Sequence, residues 1–596
     1  ESSDFANANN WFKHKVPSSN DTVFVGASVP NSPVLNHAVN VAGVKISTGA
    51  SLSIGNAGVL AINSKVSNMG TIAGTGELRL TMPNPTTIGG VSSIGTFTLD
   101  GPSRTRLLSP INIWNELNVK QGQFDLSDYV VKLKSNSSGT ARLAPMGVGA
   151  SLSRAVNFYT ERYLDPSKGG PNGAWFYVTA PTVNAPVSTW SYANNYNWAT
   201  YDPNIDSVNS SLWLYDALST SVRTNRGFVK PTSPAQIIGP GVGARVWFWN
   251  SFLNNGSSTM FSRGTPQVGD FTFRNLKYCA SGCAYTSDLG GATDNGWNLV
   301  GNPYPSNIDW DAADWIRLNV ANAIYVFNWS DGNFASYVGG VGVNGGTSVI
   351  PSSQAFFIRA TAANPQMIAT ENVKTTATAS FLRQGAISNV LKMKLVGANN
   401  KADEAALRLL AGATDLLDDQ FDAVNMRSDN GVDIATTTID GKNLMIDARP
   451  MPTASAIIPL RLVGVGASIT FSGLQSFDAG ISLDLLDQTN GQTSPISEGA
   501  VVTILAGHQY AIVVNNQVTG LANNIGRAFS LYPNPATDKV TLSGVLAGTR
   551  YNIVNALGQS VMAGTWSDQA ISTQSLRTGI YFVQVEGMST QRLVIE

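Results

Sequence analysis

Apolar and polar residues alternate in short bursts through the first 150 residues. Val39 and Val41, Val44 and Ile46, Leu52 and Ile54, Leu60 and Ile62, and Leu78 and Leu80 each put two apolar side chains on one face of an extended segment. Gly43, Gly49, Gly55, Gly58, Gly70, Gly74 and Gly76 punctuate these bursts as turns. Short strands at regular spacing with few charges predict coils stacked into a right-handed β-helix-like solenoid over 1–150, opened by Trp11, Pro17 and the run Asp21–Val25. The repeat is irregular, which leaves a flattened β-sandwich as the alternative.

The pattern changes over 151–375. This stretch holds ten of the thirteen tryptophans, from Trp175 to Trp329, and the turn pairs Asn172-Gly173, Asn255-Gly256, Asn295-Gly296, Asp331-Gly332 and Asn344-Gly345. A β-sandwich or jelly-roll domain is expected. One helix is predicted inside it, over Asp309–Asn319, with Asp309 or Asp311 as cap and Trp310, Ala313, Trp315 and Leu318 as its apolar stripe. Residues 376–520 read as seven strands, LKMKLVG, AALRLLAG, LMIDARP, AIIPLRLVG, ASITFSG, SLDLLDQ and YAIVVNN, with turns at Asn430-Gly431, Asp440-Gly441 and Asn490-Gly491. That rhythm suits an Ig-like β-sandwich. A polar linker, 515–528, leads to a small all-β module at 526–596. The fold class is therefore all-β throughout.

In the last module Pro533 and Pro535 fix two φ angles, so Tyr532–Ala536 reads as a stiff loop, and Gly579 opens a final hairpin back through Leu593–Ile595. The order LYPNP, Y-x-I-x-N-A-L-G-Q, S-L-R-T-G-I-Y-F-V and a basic residue near the C-terminus resembles the type A C-terminal sorting domain of the Bacteroidetes type IX secretion system. The motif residues are Tyr532, Pro533, Asn534, Pro535, Gly579 and Tyr581; Arg592-Leu593-Val594 departs from the lysine-rich finish usual in that family. The resemblance implies an address read by the outer-membrane translocon and a sortase that removes it, and a secreted protein, extracellular or on the outer-membrane surface. The stretch GASLSIGNAGVLAINSKVSNMGTIAGTGELRL resembles the solenoid opening of many Bacteroidetes surface proteins. FYTERYLD with AWFYVTAPTV, and GWNLVGNPYPSNIDWD with AIYVFN and IPSSQAFFIRA, resemble a recurrent module of type IX cargo proteins. Glu1 in place of Met fits a mature form whose signal peptide is gone.

Charge narrows the partners. Charged residues are 13% of the chain and the net charge is −1, so nothing points to nucleic acid or an anionic membrane, and no apolar run is long enough for a transmembrane segment. Cys279 and Cys283 flank a Ser-Gly turn and fit a local disulfide outside the cell, with two free thiols as the alternative. A Ser-His-Asp triad needs a histidine in context, and His14, His37 and His508 lie in dissimilar ones; no nucleophile elbow, HExxH, P-loop or dinucleotide fingerprint occurs. No enzyme is expected, and no cofactor beyond a structural calcium.

Two clusters remain. Trp190, Tyr192, Tyr196, Trp198 and Tyr201, with Asn194, Asn195 and Asn197 between them, are either a glycan-stacking platform or core. Asp415, Asp418, Asp419 and Asp422 are either a candidate calcium loop or a solvated acidic one. Thr22 and Ser207 sit in Asp-Thr/Ser-Val tripeptides that resemble the Bacteroidetes O-glycosylation motif. The sequence thus reads as a secreted structural or adhesive surface protein, whose solenoid or sheet edges invite strand addition by a neighbour and self-assembly into a filament or layer. A glycan-binding module is the alternative, and a polysaccharide hydrolase the remote one.

Overall fold

The computed structural model describes residues 2–165, 174–187, 191–192, 212–218, 227–233, 235–248, 259–279, 296–328, 330–377, 387–426, 430–464, 466–516, 529–556, 558–586, 588 and 590–596. The chain divides into two compact units, Glu1–Ala479 with Leu483–Val514, and Gly480–Ser482 with Asn515–Glu596. Strands and turns make up nearly all of both. Among the described residues no helix is long and apolar enough to cross a membrane.

The first unit opens with the solenoid. Its strands are β1 (Thr22–Val25), β2 (Val34–Leu35), β3 (Ala38–Ile46), β4 (Ser51–Ile54), β5 (Val59–Asn68), β6 (Thr71–Gly74), β7 (Glu77–Leu80), β8 (Thr86–Ile88) and β9 (Val91–Leu99). They continue through β10 (Arg104–Leu107), β11 (Ile111–Val119), β12 (Gln123–Asp125), β13 (Val131–Leu133), the short β14 (Ser135–Asn136), β15 (Gly139–Thr140) and β16 (Arg142–Leu143), then β17 (Ser151–Ser153) and β18 (Phe158–Tyr163). Thr22 pairs with Gly43 and Gly43 with Lys65, both in parallel, so one coil takes roughly twenty residues.

Long strands bend at a register shift, β3 between Val41 and Gly43 and β11 between Ile113 and Glu116, so each serves two faces of the coil. Three parallel faces result. Alternation sends Val23, Val25, Val44, Ile46, Leu52, Ile54, Leu60, Ile62, Leu78 and Leu80 into one continuous apolar core. Gly76 shows why glycine marks the turns: a Cβ there would run into the carbonyl oxygens of Gly55 and Gly58 in the coil before.

The solenoid's last coil is closed from within the chain. β18 lies parallel to β13 on one side, and on the other pairs antiparallel with Thr259–Pro266, Phe158 opposite Gly264 and Tyr163 opposite Thr259. Leu143 N–H donates to Pro305 O at 2.7 Å. Glu371 completes the closure. Its carboxylate accepts from Gly269 N (2.5 Å) and Met146 N (3.2 Å) and pairs with Lys374 Nζ at 2.5 Å. Lys374 is buried, donates to Ala144 O at 3.4 Å and lies over the Tyr304 ring, whose hydroxyl shares its one proton between Gly269 O and Ala369 O.

Beyond the solenoid, a five-stranded sheet runs in the order Trp297–Gly301, Ala355–Arg359, Ile324–Asn328, Asn333–Val338, Val341–Val343. An eleven-stranded sheet contains the seven segments read from 376–520 as Val390–Val396, Ala402–Leu409, Asn443–Arg449, Ser455–Val463, Ser468–Ser472, Ile481–Asp487 and Tyr510–Asn516. One aromatic core joins them. Tyr177, Trp297, Tyr325 and Phe357 pack with Ala406, Val424, Leu444 and Ile446, so residues on both sides of position 375 share it.

The helix expected over Asp309–Asn319 is not there. Asn307–Asp309 and Trp315–Leu318 are strands, and the second pairs with Gln366–Ala369. Backbone hydrogen bonding explains the difference. Asp309 turns the chain by accepting from Asp311 N, and its carbonyl takes the Trp315 indole N–H at 2.8 Å; the Trp310 indole donates to Asn322 O at 2.7 Å. Both indoles are buried against each other, while Leu318 on the presumed apolar stripe is exposed.

The second unit is two small sheets, in the orders Ser530–Tyr532, Lys539–Ser543, Ile571–Ser572 and Ser560–Thr565, Arg550–Asn555, Gly579–Val585, Gln591–Ile595. Phe529, Val540, Ile553, Trp566, Val583 and Leu593 fill the space between them. The proline-flanked loop is docked by Asn534, whose amide donates to Arg592 O (2.6 Å) and accepts from Val594 N (2.9 Å). Tyr532 is exposed, and Tyr581 is buried with its hydroxyl on Arg577 O.

Candidate functional site

The other end of the solenoid is built differently. Asn7 caps a single turn, Ala8–Asn10, by accepting from Asn9 N at 3.0 Å. That turn swings Trp11 back onto Phe5, ring centroids 4.7 Å apart, with the indole N–H on Phe5 O at 2.9 Å. Phe5 is fully buried and plugs the core. Its N–H donates to Val34 O and Val34 N–H donates to Ser3 O, so residues 3–5 cover the edge of β2.

β1 has no such cover. Ser47 N donates to Val25 O and Ala42 N to Asp21 O, both 2.9 Å, which turns the alternate groups of Thr22 and Phe24 toward the far side. Among the described residues only β3 pairs with β1, so that far edge is bare. Beside it lies a cleft of about 600 Å³ whose lining includes Phe12, Lys13, Lys15, Phe24, Val29 and Asp4. Phe12 is wholly exposed and Phe24 is 57% exposed, with Lys45 Nζ 5.6 Å from its ring centroid. Asp21 fixes the approach to the strand: its carboxylate takes the Ser18 hydroxyl (2.7 Å) and the Ser18 N–H (2.9 Å), bonds that hold it below the usual carboxylate range. A bare edge flanked by aromatic side chains and charges of both signs can accept another strand.

Thr22 lies exposed on this edge, where a glycan would be accessible; Ser207 falls outside the described residues. So do Trp190, Tyr196, Trp198 and Tyr201, while Tyr192 is described only as backbone in the short strand Ser191–Tyr192. Cys279 is disulfide-bonded, and Cys283 lies outside the described residues.

The acidic loop does not converge on a cation. Asp415 meets Arg449 at 3.4 Å, Asp418 accepts from Thr414 N at 2.6 Å, Asp419 pairs with Arg359, and Asp422 accepts from Ala448 N and Asp418 N at 2.7 Å each. Among the described residues no group of three or more His, Cys, Asp or Glu side chains could hold a metal ion. The partners of the loop's carboxylates are backbone amides and guanidinium groups.

Burial pushes Asp422 up to about 8 and Asp403 up to about 6, against the hydrogen bonds each accepts. Both carboxyls therefore take up protons on folding, and stability falls as pH rises from their unfolded values near 4 toward those folded values. The melting temperature of the first unit's transition is expected to be higher at about pH 5 than at about pH 8, and Asp422→Asn to flatten that slope. A midpoint that climbs with pH over this window would contradict the assignment.

The sequence reading missed the bare edge of β1 as a particular place, because an edge is a property of pairing rather than of composition. The exposed Phe12 and the alternation around Phe24 were the available signals.

Among protein families, one described as a domain of unknown function (DUF8693) matches residues 174–473, half of the chain. A second, described as a secretion system C-terminal sorting domain, matches residues 530–596. No curated protein and no solved structure matches the chain.

Proposed function

We propose, for a chain that belongs to the DUF8693 family and is a type IX secretion cargo exported to the cell surface or beyond it, a structural and adhesive role exercised through the open end of its solenoid. The observation that carries this reading is the edge of β1, unpaired among the described residues, beside a cleft of aromatic and charged side chains, at the end opposite the one that Thr259–Pro266 closes. The occupant is a second copy of the chain. Two β1 edges related by a two-fold axis pair antiparallel and bury both copies of Phe12 and Phe24. Such an isologous contact closes on itself. Filament growth by stacking solenoids would need a second open end, so a filament or layer requires a further contact elsewhere.

The role is a non-catalytic one. The carboxylates with raised pKa values are interior ones: Asp403 is held by Asn344 and Ile434, Asp422 by Ala448 and Asp418, and Asp447 by Arg449.

Electron microscopy and light scattering of the purified chain test it. Pairs joined at solenoid ends are expected, and Phe24→Lys, which sets a charge on the edge, is expected to give single particles. Pairs that survive Phe24→Lys, or a wild-type chain that stays single at every concentration, would sink the reading.

A further inference from the structure

One lateral face of the solenoid carries a second, independent surface. In-register pairing lines up the outward residues Ser53, Ala73, Ser93, Asn112, Lys132 and Tyr159, one per coil, and Arg263 follows on the closing strand. The first four are small or short, so the face is a flat strip over four coils. Its far end is walled by aromatic and cationic side chains. Lys132 Nζ lies 5.4 Å from the Tyr159 ring centroid and the Arg263 guanidinium 5.7 Å. Next to them Lys134 Nζ lies 5.6 Å from the Trp114 ring, and the Trp114 indole donates to Ser93 Oγ at 2.9 Å, which pins the ring beside the strip. Trp114 is 38% exposed.

The charges on this wall are not equivalent. Lys134 is neutralised by Glu161 at 2.5 Å, and Arg142 by Glu116. Lys132 and Arg263 have no carboxylate within ion-pair distance among the described residues; Arg263 donates to the side-chain oxygen of Asn157 instead. Two cations without a counter-charge among the described residues thus stand on the strands either side of Tyr159, steadied by its ring, with neighbouring strands about 4.8 Å apart. Because the rings already hold the cations, the wall is shaped for anionic groups repeating along the solenoid axis more than for neutral sugars.

We propose that this strip binds an anionic polysaccharide laid along the solenoid axis, with carboxylate or sulfate groups at Lys132 and Arg263 and a sugar ring against the open part of Trp114. Nucleic acid fits less well. Its closely spaced phosphates call for a denser set of cations than two, and the chain's net charge is −1. The surface lies apart from the β1 edge, and neither proposal needs the other.

Binding of the full chain to labelled polygalacturonate, dextran sulfate and neutral dextran, at low and high salt, tests the assignment. Salt-sensitive binding to one or both charged polymers and none to dextran is expected; which charged polymer binds separates carboxylate from sulfate. The double variant Lys132→Ala with Arg263→Ala should weaken it at least about tenfold. Lys392→Ala with Lys539→Ala, removing the same charge elsewhere, should leave it unchanged. If the double variant melts early, Lys132→Met, which keeps the stem on Tyr159, is expected to show a smaller loss in the same direction. Equal binding by wild type and the Lys132 and Arg263 variants, equal binding to dextran, competition by duplex DNA as strong as by the polysaccharides, or no binding to either charged polymer at low salt would each overturn it.

Discussion

Replacing Glu371 with alanine is expected to lower the stability of the first unit by about 3–5 kcal/mol, because it leaves Lys374 buried without its counter-charge. Two backbone donors lose their acceptor at the same stroke, Gly269 N and Met146 N. These donors come from the strand-closing segment and from the last coil, so the loss falls on the seam between the solenoid and the sheets behind it. Glu371→Gln should recover part of the effect, since its amide oxygen can still accept one N–H. Denaturant unfolding followed by tryptophan fluorescence reads the change. Hydrogen exchange should place the new opening at 143–146 and 267–271. A Glu371→Ala midpoint indistinguishable from wild type would mean that Lys374 reaches water and that the closure does not depend on the pair.

The second large effect is expected at Arg449. Its Nε bonds both oxygens of Asp447 at 2.8 and 2.9 Å, and its terminal nitrogens donate to Asp415 O and Thr437 O. Both residues of the pair are buried. Arg449→Met keeps much of the stem volume and removes every one of these bonds, for a loss again of about 3–5 kcal/mol. Burial already raises the Asp447 pKa, and losing the guanidinium raises it further, so the orphaned carboxyl takes a proton more readily. The penalty should therefore be smaller at about pH 5 than at about pH 8. Measured unfolding free energies at the two values check this. A penalty that is equal at both, or larger in acid, would mean that Asp447 stays ionised.

Sequence alone carried much of the architecture, for reasons visible in particular residues. Alternation at Val39/Val41, Leu52/Ile54 and Leu78/Leu80 marked coils because each of those pairs must turn into the same core. The seven segments read between 376 and 520 are strands, but Ala423–Val424, Asp433–Thr437, Gln492–Pro495 and Val501–Thr503 were passed over. Those four are short or built partly of Asp, Gln, Ser and Thr, and pairing with neighbours rather than their own pattern holds them extended. The helix misread at Asp309–Asn319 has the same origin, since two indoles bonding to carbonyls six and twelve residues away outweigh a helical spacing. The candidate binding surfaces were the least legible. Lys132, Tyr159 and Arg263 become neighbours only through coil register and a strand returning from far along the chain. The aromatic run at Trp190–Tyr201 drew attention because it is contiguous in sequence, a criterion to which surfaces built across coils are blind.

The stacked glycine turns have an evolutionary corollary. Each coil stacks on the one before and the one after, and Gly76 fits because it has no Cβ to meet the carbonyl oxygens of Gly55 and Gly58 one coil earlier. Duplicating a whole coil in the gene would reproduce that fit and lengthen the solenoid by about 4.8 Å, leaving the plug at Phe5 and the Glu371 clamp untouched. Inserting a single residue would shift every later glycine off its carbonyls. Length variation among relatives in this region should therefore come in steps of one coil, a ruler on which the distance between the two ends can be reset without redesigning either.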